Sequence, residues 1–278
     1  MKAKINKIIP FSNVDGPGNR TAIFFQGCHF KCLYCHNPET INICNNCLEC
    51  VSYCKTGALT IKDNKVNYNI NKCVNCDSCI KACKHLASPK IVEYSVDELV
   101  NKIKETKPFI RGITTSGGEC TLYHSYLLEL FKEVKKLDLT CLIDSNGCLP
   151  FKDMEELIDI SDGVMLDLKA IDDSFHQYLT GSSNKIVLEN LDYLLKKNKL
   201  EEVRTVILPN CEEENIKTVK AVSQIIGSKV RYKLIKYRYF GVREEGINVF
   251  SKTIVNDQTL RQMQQIAIDN GCNTTTII

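Results

Sequence analysis

Eleven of the chain's sixteen cysteines lie in its first 83 residues, in three runs of fixed spacing. Cys28, Cys32 and Cys35 follow an x3, x2 pattern. Cys44, Cys47, Cys50 and Cys54 follow x2, x2, x3, and Cys73, Cys76, Cys79 and Cys83 repeat that pattern 29 residues later. Any fold must gather each run's thiols at one place, a tighter demand than any hydrophobic pattern makes. A four-iron cube needs a ligand on every iron, and proteins normally supply four thiolates. The first run is one ligand short and would leave an iron open, which is how a metal site becomes reactive. The other two runs are complete and suit the carriage of electrons. Zinc is the competing use of such thiols. His29 and His36 lie inside the first loop rather than at finger-like distance, and the matched quartets form an internal repeat.

Composition bounds the rest. A chain of 278 residues has room for one large α/β domain or two smaller ones. Its 44% hydrophobic and 25% charged residues are ordinary for a globule. No apolar run reaches membrane-span length, and the opening MKAKINKIIPFSNVDG lacks a signal-peptide core. A cytoplasmic monomer with no membrane partner is expected. A net charge of +3 gives no reason to expect nucleic acid. Without an export signal the cysteines do not read as disulfides, and labile iron would call for anaerobic, reducing surroundings. Most of the scattered Cys120, Cys141, Cys148, Cys211 and Cys272 are expected to be small buried residues.

Short β-rich runs alternate with amphipathic stretches along most of the chain. Strands are predicted at Thr21–Gln26, Gly112–Ser116, Thr140–Asp144, Gly163–Leu168, Val203–Leu208 and Val230–Lys236. Helices are predicted at Val96–Glu105, Ser125–Leu137, Lys152–Ile160, Ile186–Lys197, Ile216–Ile226 and Asp257–Asn270, with apolar residues at three- and four-residue steps such as Leu127, Leu130, Phe131 and Val134. This alternation implies right-handed βαβ units, a parallel sheet and an α/β fold class. In parallel barrels chemistry gathers at the carboxyl ends of the strands.

Three resemblances follow from these residues. The repeated quartets resemble the bacterial two-cluster ferredoxin, in which the fourth cysteine of each run serves the other cluster. That implies one set of Cys44, Cys47, Cys50 and Cys83 and another of Cys73, Cys76, Cys79 and Cys54. Lys55 and Lys84 stand where the ferredoxins usually have proline. Residues 41–90 would then form a small α+β insert, cut into a domain made of 1–40 and 91–278. The CHFKCLYC run resembles the signature of the radical S-adenosylmethionine (SAM) superfamily, so the open iron would hold SAM and Tyr34 would lie against adenine. The six βα units resemble that family's open (β/α)6 partial barrel.

Motifs at strand ends narrow the resemblance to glycyl radical enzyme activating enzymes, with the wording NVDGPGNRTAIFFQGC closest to the YjjW-type subgroup. Gly117, Gly118 and Glu119 match a GGE motif that binds the SAM amino group, with Cys120 in place of the usual proline. Asp144–Ser145–Asn146–Gly147 resembles the family's DTNG and Met165–Lys169 its MLDLK. The match implies that Asp144, Ser145 and Met165 hold a monovalent cation beside SAM, and that Asp167 and Lys169 face the partner protein. Read without the family, Asn146–Gly147 is a turn and Asp167 with Lys169 a surface pair. Arg204 and Val206 match SAM-contacting positions, and Arg238 falls where several activases place a histidine.

The implied function is reductive cleavage of SAM to methionine and a 5′-deoxyadenosyl radical, which takes a hydrogen atom from a backbone glycine of a partner glycyl radical enzyme. Three [4Fe–4S] clusters and a flavodoxin or ferredoxin donor go with it. Two alternatives stay open: a radical SAM enzyme acting on another peptide or small molecule, and a plain electron-transfer protein.

Overall fold

The computed structural model describes residues 1–278, which divide into two compact units. The first comprises Met1–His29 and Asn37–Leu139; the second comprises Phe30–His36 and Thr140–Ile278.

The first unit contains β1 (Lys2–Ser12), β2 (Arg20–Phe25), the hairpin β3 (Leu59–Lys62) and β4 (Lys65–Tyr68), and the short helix α1 (Ser78–Ala82). It continues with β5 (Val92–Ser95), α2 (Val96–Thr106), β6 (Gly112–Gly117) and α3 (His124–Lys135). Its main strands lie in the order β6-β2-β1-β5, with β2 and β6 parallel and β1 antiparallel to both its neighbours. Helix α2 begins at a capping box in which Ser95 and Glu98 satisfy each other's backbone amides. The helical stripe predicted for α3 is buried at Leu127, Leu130, Phe131 and Val134, each side chain contributing about 1.5–3 kcal/mol of transfer free energy.

The second unit contains β7 (Thr140–Ser145), α4 (Glu155–Ile160), β8 (Gly163–Asp167), α5 (Asp173–Thr180), α6 (Lys185–Lys197), β9 (Leu200–Ile207) and α7 (Glu212–Ile226). It ends with β10 (Arg231–Lys236), α8 (Glu244–Phe250), α9 (Asp257–Asp269) and β11 (Thr275–Ile277). Strands β7 to β11 lie side by side in chain order, all parallel. The fold class is α/β with a mostly parallel sheet, and no helix is long and apolar enough to cross a membrane.

All six predicted strands form, most within a residue or two of the expected ends, β9 starting three residues early. Strands β1, β5 and β11, the hairpin, α5 and α8 were not predicted. In β1 only Ala3 and Ile5 alternate inward before register shifts between Ile5 and Lys7 and between Ile9 and Ser12 break the two-residue period. Among the scattered cysteines Cys120, Cys141 and Cys272 are buried, while Cys148 and Cys211 are only half-buried.

Within residues 41–90 the apolar centre is small. Cys50, Leu59 and Cys79 form it, with Val51, Cys54, Val66, Tyr68 and Ile80 packed around them.

Candidate functional site

The glycine turn after β6 is built by close backbone approach. Phe25 and Gly117 are paired across β2 and β6. Gly117 has φ of 121°, and a Cβ there would lie 2.2 Å from the Phe25 amide nitrogen; one on Gly118 would lie 2.3 Å from the Gly27 carbonyl oxygen. Only glycine fits either position. The Gly118 and Glu119 amides donate to the carbonyls of Phe25 and Gly27 at 2.9 and 2.8 Å. Glu119 is buried, and one of its carboxylate oxygens accepts from the Thr121 amide and hydroxyl at 3.0 and 2.7 Å. Cys120, where proline is usual, is fully buried and its thiol donates to the Thr115 carbonyl. On the other side of the same turn, the Gly27 and Cys28 amides donate to Thr40 and Ile41 at 2.8 and 2.9 Å.

Two cavities in the first unit are lined by thiols. One is lined by Cys44, Cys47, Cys50 and Cys83; the other by Cys54, Cys73, Cys76 and Cys79. Each cavity therefore gathers three cysteines of one run and the fourth of the other. No three His, Cys, Asp or Glu side chains converge closely enough to hold a single metal ion. Four thiols, three from one run and the fourth from the other, suit a multi-iron cluster better than one zinc ion. Burial, then the neighbouring Cys44, Cys79, Cys83 and Cys47, pushes the Cys50 thiol up to about 11. Without metal the Cys50 thiol therefore keeps its proton, which a bound metal must displace.

In the second unit the segment Phe30–His36 is held by its surroundings. The amides of Lys31 and Leu33 donate to Thr180 and Leu179 at 2.9 and 2.8 Å, and Arg243 donates to the carbonyls of Lys31 and Cys32. A Cβ on Gly246 would lie 1.9 Å from the Leu33 carbonyl oxygen, and one on Gly241 2.4 Å from that of His36. Nothing in the sequence pointed to this seat, because GVREEG between Gly241 and Gly246 matches no motif. Cys32 is buried, Cys35 is half-buried, and the Cys35 amide donates to the Cys32 carbonyl.

Tyr34 is buried and its hydroxyl has no hydrogen-bond partner. An orphaned phenol costs free energy unless another group meets it, so this spot fits a bound ligand. Lys169 lies 5.9 Å from the Tyr34 ring centre and pairs with Asp167 at 2.7 Å. Burial would lower the Lys169 ammonium, but Asp167 foremost holds it well above the usual lysine range. The side chain of Lys169 is only 12% exposed and that of Asp167 30%, so this pair borders the cysteine loop rather than standing free on the surface.

Arg204 is the hub of the strand ends in this unit. It pairs with Asp144 at 2.9 Å and Glu202 at 2.6 Å and donates to the Met165 sulfur at 2.9 Å. Burial opposes its charge, but Asp144 and Glu202 raise its affinity for the proton further. Glu202, which no motif marked, is fully buried and also meets Lys233 at 2.9 Å and Arg231 at 3.4 Å. Its signal was legible only as a carboxylate two residues before Arg204 in β9. Ser145 is buried and its hydroxyl accepts from the Gly147 amide; Val206 is half-buried. Asn190, also unmarked, donates to the carbonyls of Gly147 and Leu149 and accepts from the Phe151 amide, which fixes the loop after β7. Arg238 is exposed, and its carbonyl accepts a bond from His36 Nε2 at 2.7 Å if that nitrogen carries the proton.

Comparison with known proteins bears on the family. A Haemophilus influenzae protein assigned as a glycyl-radical enzyme activating enzyme is 32% identical over 92% of this chain and 90% of its own length. The 4-hydroxyphenylacetate decarboxylase activating enzyme of Clostridioides difficile is 29% identical over 98% of this chain and 95% of its own. Among solved structures, Streptococcus suis SuiB bound to S-adenosylmethionine shares the fold at a TM-score of 0.58 and 15% identity, over 91% of this chain and 48% of SuiB. The Radical SAM superfamily model matches residues 22–222. The chain belongs to the radical SAM superfamily, and its relatives there are glycyl radical enzyme activating enzymes.

Proposed function

We propose that this chain activates a glycyl radical enzyme. The observation that carries the reading is the end-to-end likeness to activating enzymes, over at least 90% of both chains for the relatives named above. Superfamily membership implies a [4Fe–4S] cluster and SAM. When bound and reduced, the cluster supplies one electron to SAM, whose sulfur–carbon bond breaks to methionine and a 5′-deoxyadenosyl radical that takes one hydrogen atom from a partner's backbone glycine.

The chain's own residues hold, orient and exclude. Cys28, Cys32 and Cys35 would ligate three irons, with the fourth left to SAM. The orphaned Tyr34 hydroxyl and its buried ring support a place for Tyr34 against the nucleoside. Gly117 and Gly118 leave backbone exposed to the SAM amino group, with Glu119 beside them. Asp144, Ser145 and Met165 are the residues that would take a monovalent cation; Arg204 is already on Asp144 and, with Val206, would border SAM. Asp167 and Lys169 would meet the incoming glycine loop of the partner, and Arg238 the outer edge of the nucleoside. In residues 41–90 the two thiol-lined cavities support two further [4Fe–4S] clusters on the crossed ligand sets. A flavodoxin or ferredoxin would supply electrons to a monomeric protein in a reducing cytoplasm.

The test mixes the iron-loaded, reduced protein and SAM with each glycyl radical enzyme of the same organism in turn. A glycine-centred doublet in the electron spin resonance spectrum, with one 5′-deoxyadenosine formed per radical, is expected. Deoxyadenosine without that doublet would sink the reading.

A further inference from the structure

The two thiol quartets are alike in chemistry but unequal in attachment. Gln26, at the end of β2, is fully buried and donates to the carbonyls of Glu39 and Asn42 at 2.7 and 2.6 Å. The Cys28 amide donates to Ile41, and three residues on from Ile41 stands Cys44. Asn42 in turn donates through its amide to Leu86 at 3.0 Å and through its side chain to the His85 carbonyl at 2.8 Å. Three residues before Leu86 stands Cys83. Three residues span at most about 11 Å of extended chain. Both Cys44 and Cys83 are thus held within that reach of one short ladder whose other side is Cys28.

The second set is tied elsewhere: Asp77, beside Cys76, pairs with Lys90 at 2.5 Å just ahead of β5. Cys54 and Cys79 each stand four residues from a member of the first set, Cys50 and Cys83 respectively. Cys79 lies in α1 and Cys83 caps its end. Cys73 lines an open groove along β1 and β5 together with Lys7, Glu39, Asp77 and Lys90. Through α1 and the turn at 49–51 the chain therefore steps outward from the first set to the second.

We infer that Cys44, Cys47, Cys50 and Cys83 form the proximal set, which passes one electron towards the loop that begins at Cys28, and that Cys54, Cys73, Cys76 and Cys79 form the distal set. This rests on the reading of two clusters in residues 41–90. One electron enters the distal set from a reduced flavodoxin or ferredoxin, which is oxidised by one electron. It moves to the proximal set, returning the distal set to its resting state, and leaves to reduce SAM. Gln26 and Asn42 are positioning residues that fix the proximal set to the end of β2.

The test uses the fully loaded protein and labels one cluster at a time at its exposed ligand, Cys47→Ser or Cys76→Ser. Serine keeps a ligand in place while altering the spin resonance signal of its own cluster. The signal that responds to added SAM should show magnetic broadening from a neighbouring reduced cluster. That broadening should change in Cys47→Ser and stay as in the parent in Cys76→Ser. A change in Cys76→Ser alone, or an equal change in both, overturns the order. Should either variant lose its cluster, broadening that disappears with the Cys47 cluster and persists without the Cys76 cluster supports the same order. A parent protein that loads fewer than three clusters overturns the two-cluster reading itself, which iron content distinguishes from a failure of the order.

Discussion

The thiols of residues 41–90 and those of the loop at Cys28–Cys35 are held in opposite ways. In the first region the thiols are themselves part of the core: Cys50 and Cys79 occupy two of its three buried positions, with a hairpin of two four-residue strands and a one-turn helix around them. In the second, Cys32 and Cys35 ride on a segment pinned by amides, by Arg243 and by two glycines contributed by distant sequence. One region organises itself around what it binds; the other is shaped by the protein before anything binds.

Iron removal should break the symmetry most visibly. Chelation of the loaded protein should abolish amide-exchange protection across 41–90, because too little apolar area remains to hold that segment. Peptides from α6 and β9 should keep theirs, as read by exchange mass spectrometry. Protection in 41–90 that survives chelation would mean that the region has a core of its own.

The next largest effect lies in the scaffold. Glu202→Gln removes a buried carboxylate facing Arg204, Lys233 and Arg231, and loss of one partner from such a network costs about 3–5 kcal/mol. Denaturant unfolding should give the same loss with and without iron. Gly246→Ala forces the Leu33 carbonyl to move, at about 1–3 kcal/mol for overpacking. It should lower the iron held by the Cys28–Cys35 loop while the absorbance of the other clusters stays. Smallest is Asn42→Ala, which deletes the bond to the His85 carbonyl for about 1 kcal/mol and should change melting only slightly.

Legibility followed the same divide. Groupings set by residue type at short spacing were legible. The crossed sets line the two cavities as the ferredoxin likeness implied, and the six parallel strands appear where periodicity put them. What stayed hidden depends on long-range approach. Gly241 and Gly246 look like ordinary loop glycines until the backbones of His36 and Leu33 are seen against them. Glu202 looks misplaced in a strand until its three cations surround it. Asn190 and Gln26 carry no motif because each is defined by the carbonyls it reaches, and a carbonyl has no letter in a sequence.

The seat beneath Leu33 has a consequence for biosynthesis. The cysteine loop leaves the ribosome early, whereas Gly241, Arg243 and Gly246 are added only after most of the chain has been made. Domains generally form as they emerge, so residues 41–90 have every partner they need while translation is still under way. The loop at Cys28–Cys35 must wait. On the proposed function, a cell that loads iron during synthesis would fill the thiols of residues 41–90 before those of the loop at Cys28–Cys35.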